Sequence, residues 1–148
     1  MESSSGATIA DRLRSLLLRQ EVVVGNLKRD DLWVVVAAAA SAIPKGESLN
    51  EKDVTERLTR WLGRVGENVR MDSVELRRLL VDYRCLVRDA AGREYQRPAE
   101  WPDALKETAR GLEGMDIESF ADQARAEELE RRAARKKAAL EKKEGTTS

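Results

Sequence analysis

Apolar positions return every three or four residues along most of this chain, and the period changes to an alternation in one place. From Ala7 to Gln20, Ile9, Leu13, Leu16 and Leu17 recur at helical spacing between Arg12, Arg14 and Arg19. The stretch "EVVVGN" follows, and it reads either as a short strand or as the fraying end of that helix, closed by a turn at Gly25–Asn26. Asp30 or Asp31 then starts a helix through "LWVVVAAAASAI", apolar nearly all round, which predicts burial on several sides. Pro44 and Gly46 stop it.

The next two helices carry clear start signals. Asn50 is placed to cap a helix with Asp53 at its third position, and Leu49 and Val54 have the spacing of a hydrophobic staple. Val54, Leu58, Trp61, Leu62 and Val65 form its apolar stripe, which ends near Gly63–Gly66. The grammar repeats at Asp72: Glu75 completes a capping box, Met71 and Leu76 form the staple, and Leu76, Leu79, Leu80 and Tyr83 face inward. On a helical wheel, Val74, Arg78 and Val81 then face outward, with Arg77 on one flank and Glu75 and Asp82 on the other.

At "CLVRDAAGREYQR" the period becomes that of strands. Two short ones, Cys85–Arg88 and Glu94–Arg97, are joined by a turn in which Gly92 can take a positive φ, and "GESL" (46–49) supplies a third. The order helix, short strand, helix, helix, hairpin is that of a winged helix-turn-helix with a β-hairpin wing. After Pro98 and Pro102, "DALKETARGL" predicts a short helix, and from Asp116 a long run rich in Ala, Glu, Arg and Lys predicts a charged helix whose apolar stripe thins after Phe120. The expected organisation is therefore mainly α: residues 1–6 disordered, 7–27 a helix and connector, 28–98 the winged-helix-like domain, 99–115 a linker, and 116–148 a helical extension with a disordered tail.

Composition narrows the function. Among 148 residues there are 27 basic and 27 acidic side chains, so net charge alone points to no nucleic acid. Histidine is absent and cysteine occurs once, which removes the ordinary zinc ligand sets and the commonest general base. No Gly-rich phosphate loop, G-x-S-x-G or metal-ligand spacing is present, so the expectation is a non-enzyme without cofactor or metal. The lone Cys85 suits a reducing cytoplasm, no apolar run is long enough to span a membrane, and no secretory signal opens the chain.

The segment "LRRLLVDYRCLVRDAAGREYQR", with the preceding "LNEKDVTERL", resembles a bacterial domain-of-unknown-function family, number 2087, over about residues 28–98. Members are often attached to ArsR-type winged-helix repressors. The resemblance implies a winged-helix-like fold and a link to transcriptional regulation, and it brings no established catalytic or ligand site.

The charge distribution names candidate contacts. Arg77 and Arg78 on the third helix, and Arg84, Arg88, Arg93 and Arg97 around the hairpin, are placed for DNA phosphates, or else keep an exposed sheet soluble beside Asp89 and Glu94. From Arg131 to Lys143 there are seven basic residues and one acidic. Arg131, Arg132, Arg135, Lys136 and Lys137 in that run would add non-specific affinity by counterion release, or simply complement the negative end of a helix. The leading expectation is a regulator that binds double-stranded DNA. The alternative is a winged-helix protein-interaction module, adaptor to a transcription or ribosomal complex, using Val74, Val81 and the C-terminal helix. The leucine stripe of the N-terminal helix either packs on the domain or serves a homodimer.

Overall fold

The computed structural model describes residues 8–145, so the expected disorder of residues 1–6 lies outside the described residues, as do the last three positions of the expected tail. Six helices and a small antiparallel sheet follow in the order α1 (Ile9–Leu17), α2 (Arg29–Ala40), β1 (Leu49–Asn50), α3 (Glu51–Arg64), α4 (Ser73–Asp82), β2 (Val87–Arg88), β3 (Glu94–Gln96), α5 (Lys106–Leu112) and α6 (Ile117–Gly145). The chain is thus mainly helical, with a three-stranded sheet and a long C-terminal helix, as its patterning predicts.

Caps set where the helices begin. Asn50 accepts from the Asp53 amide at 2.8 Å. Asp72 and Glu75 exchange the two bonds of a capping box at 2.8 and 3.1 Å. A second capping box, between Thr8 and Asp11, starts α1. It follows the same Thr-x-x-acid spacing, and the helix it opens is shorter than the 7–20 span that periodicity alone suggests.

The all-apolar α2 is the centre of the molecule: Val34 through Ala40 are buried without interruption. Its alanines leave room for α1, α4 and α5 to approach it on different sides. The leucine stripe of α1 (Leu13, Leu16, Leu17) lies in this same core, so it packs on the domain. "EVVVGN" is neither strand nor helix end. Val22 makes one isolated parallel bridge to Val69, and a 3₁₀ turn follows at Val24–Asn26. That pairing crosses from the α1 exit to the end of α3, a long-range contact that local pattern cannot show.

The sheet order is β1–β3–β2, with Leu49 opposite Tyr95 and Val87 opposite Gln96. The strands are shorter than expected because Cys85 and Leu86 turn inward, fully buried, before β2 begins. The third strand likewise falls on Leu49–Asn50 rather than on residues 46–49. The linker folds as a 3₁₀ turn at Asp103–Leu105 leading directly into α5, which lies so close to α1 that a Cβ on Gly111 would sit 2.5 Å from Ile9.

Helix α6 buries Ile117, Ala121 and Ala124, and from Leu129 onward every described residue is exposed. Arg125 roots it. Its guanidinium donates to the carbonyls of Arg64 (2.7 Å) and Val65 (2.8 Å), and faces Glu67 at 3.4 Å. The first two are carbonyls left open at the end of α3, so this side chain of α6 serves as the C-terminal cap of another helix. Asn68 does the same for α1, donating to the carbonyls of Leu16 (2.9 Å) and Arg19 (3.0 Å). No helix among the described residues is long and apolar enough to cross a membrane.

Candidate nucleic-acid interface

Helix α4 and the β2–β3 hairpin together carry six arginines, and the fold sorts them into two groups. Arg77 is internal. It pairs with Glu51 at 3.0 Å, donates to the Thr55 hydroxyl at 3.0 Å, and its guanidinium lies 5.9 Å from the centre of the Tyr95 ring. With a side chain only 14% exposed, it ties α4 to α3 and to the sheet instead of facing solvent. Arg97 is also internal. It donates to the Ile43 carbonyl at 3.3 Å and stacks 4.7 Å from the Trp101 ring, where burial lowers the guanidinium pKa. Trp101 thereby packs the segment after the hairpin onto the domain. Both arginines are thus held by partners within the fold.

Arg78, Arg84, Arg88 and Arg93 form the second group, all exposed. None of the four makes an ion pair among the described residues. Arg78 has carboxylates at i−3 and i+4, yet it binds neither, because Glu75 is held by its own capping box. Arg88 donates only to the Gly92 carbonyl and lies 5.5 Å from the Tyr95 ring centre. Arg93 has its amide, not its guanidinium, bonded to Asp89. That bond, with further amides of the tight turn, holds the Asp89 carboxyl below its usual range.

A shallow cleft of about 210 Å³ brings Arg78 and Arg88 together with Glu51, Arg77, Val81, Asp82 and Tyr95. On the other side of Val81 a larger cleft, about 570 Å³, is lined by Arg84, Arg88, Leu86, Val87, Pro98 and Pro102. Val81 and Arg88 border both, so Arg78, Arg84 and Arg88 lie around one continuous face, and Arg93 sits apart from both clefts on the hairpin turn. Val81 is half-buried between the clefts rather than projecting outward, because it packs on the core; Val74 does project, at 37% exposure. Glu51 on this face is answered by Arg77; Glu94 accepts a hydrogen bond from Ser48, and neither it nor Asp82 makes an ion pair among the described residues.

Arg84 is the single non-glycine residue of the described chain with a positive φ, 60°. It ends α4 in the left-handed conformation that glycine or asparagine usually supplies. Neither this strain nor the exposure of Val87 (45%) on the edge strand has a local sequence signal.

On the C-terminal helix Glu128 gathers Arg131, Arg132 and Arg135 at 3.3, 3.1 and 3.4 Å. The bond from Arg131, then that from Arg132, keeps the Glu128 carboxyl below its usual range. Lys136 and Lys137 point to solvent with no ion pair. This second basic region begins where α6 has left the body.

Residues 26–97 match a family described as an uncharacterized protein conserved in bacteria, DUF2087. That span runs from the approach to α2 through the end of the hairpin. No curated protein and no solved structure matches the chain.

Proposed function

We propose, from the premise that residues 26–97 are a domain of the bacterial family DUF2087, that this chain is a non-enzymatic winged-helix-type module whose α4–hairpin face binds the backbone of duplex DNA. One observation carries the reading: Arg78, Arg84 and Arg88 border two adjoining clefts of one face, Arg93 is exposed on the neighbouring hairpin turn, and none of the four makes an ion pair among the described residues. In this reading α4 lies along the major groove and the hairpin meets the adjacent phosphates. Base discrimination has little to work with on α4, whose exposed side chains are Val74, Glu75, Arg78 and Asp82, so phosphate contact by the arginines supplies most of the affinity. Lys136 and Lys137, with the arginines that Glu128 holds, add a second and weaker electrostatic contribution. Cytoplasmic location and a role in transcriptional regulation follow as parts of the same proposal.

Fluorescence anisotropy with a random-sequence duplex at several salt concentrations tests it. Each phosphate contact contributes about −0.9 to the slope of log affinity against log salt. The triple variant Arg78→Ala/Arg88→Ala/Arg93→Ala is therefore expected to flatten that slope by about 2–3 and to weaken binding alike for all sequences. An unchanged slope in the triple variant, or no binding by the intact chain at low salt, would sink the reading. The protein-interaction reading is favoured by a different observation, the apolar cleft on the far side of Val81.

A further inference from the structure

The cleft beside Arg84 has an apolar floor and an unbalanced rim. Val81, Leu86, Val87, Pro98 and Pro102 line it, and Val87 belongs to β2, an outer strand of the sheet. Its two carboxylates, Asp103 and Glu100, are already engaged by Lys106 at 3.0 and 3.8 Å. Its two arginines are not: the Arg84 guanidinium makes no hydrogen bond or ion pair among the described residues, and the Arg88 guanidinium donates only to the Gly92 carbonyl. Such a cleft is complementary to an exposed apolar side chain next to a free carboxylate.

The same chain displays that combination. Leu129 and Leu140 on α6 are 67% and 53% exposed, and each is followed by a glutamate without an ion pair among the described residues, Glu130 and Glu141. Eleven residues is close to three helical turns, so both units lie on one side of α6, about 16 Å apart. Leu129 sits where α6 leaves the body, beside Leu17 and Leu18 in another groove. Leu140 stands on the free shaft.

We infer that the cleft receives Leu140 and Glu141 from α6 of a second copy of this chain, the leucine against Val87 and the carboxylate against Arg84. A two-fold pair repeats the contact in both directions and doubles the buried surface. The inference does not rest on the DNA reading. Because Arg84 and Arg88 are shared, the duplex and the second copy compete for this face.

Sedimentation equilibrium of the full chain from about 1 to about 200 µM is the test, a range chosen for a contact of small area. The weight-average mass is expected to rise from 16.6 kDa toward twice that value. Val87→Asp and Leu140→Asp, both at exposed positions, are each expected to keep the helical circular-dichroism signal and remain monomeric. Arg84→Glu and Glu141→Arg are each expected to weaken association at least about tenfold, and the two together to restore it. A monomer at the highest concentration, a dimer indifferent to Val87→Asp or Leu140→Asp, or a charge swap without rescue would overturn the inference. Duplex binding by the Leu140→Asp variant, which keeps every arginine and leaves the α4–hairpin face unaltered, reads out the DNA proposal separately.

Discussion

Arg77 and Arg78 are neighbours in sequence with opposite roles. A helix turns 100° per residue, so one guanidinium meets Glu51 and Tyr95 while the other meets solvent. The wheel places Arg77 on a flank, but the partners that hold it come from α3 and β3 and are invisible locally. Cys85 shows the same dependence on tertiary surroundings. Burial pushes its thiol from 9.0 up to about 11, with the positive charge of Arg97 opposing part of the shift. Below pH 9 folded and unfolded chains both hold the proton. Between pH 9 and about 11 the unfolded thiol ionises while the folded one does not, so this group's contribution to stability falls as pH rises. Urea unfolding across that range is expected to show a loss of about 2–3 kcal/mol that Cys85→Ala lacks. Parallel pH profiles for the two proteins would show that the thiol is not protected.

Among the elements, those with their signals written locally were legible. Asn50 and the Asp72/Glu75 box fixed the starts of α3 and α4, and the change to period two around Cys85 located the hairpin. The Thr8/Asp11 box has the same spacing, but the apolar periodicity of 7–20 runs past both ends of α1 and masks its boundaries. What was not legible depends on contacts across the chain: the Val22–Val69 bridge, the inward use of Arg97, and Arg125. In sequence Arg125 is one arginine in a charged helix, yet it closes the end of α3 and anchors α6. Arg125→Ala leaves two carbonyls and Glu67 without this partner, and is expected to cost about 2–3 kcal/mol in denaturant unfolding. Arg125→Lys is expected to recover less than half, since an ammonium cannot serve divergent carbonyls with one planar fork. A loss below about 0.5 kcal/mol would place the anchor elsewhere.

For the whole molecule, the boundary between body and extension falls inside α6. Ile117, Ala121 and Ala124 belong to the core, whereas everything from Leu129 on is outside it. A chain ending at Glu130 is expected to melt within about 3 °C of the full chain, since it loses no buried side chain. A chain ending at Glu118 loses Ala121, Ala124 and the Arg125 anchor, and is expected to melt far lower; equal melting of the two would move the boundary. The continuous backbone of α6 through this boundary has a mechanical consequence. With about 1.5 Å of rise per residue, residues 129–145 extend roughly 24 Å beyond the root. Because the root is clamped at several points around α1 and α3, the shaft has a set heading as well as a set length. It acts as a ruler: whatever holds its basic tip is kept at a fixed distance and bearing from the α4–hairpin face.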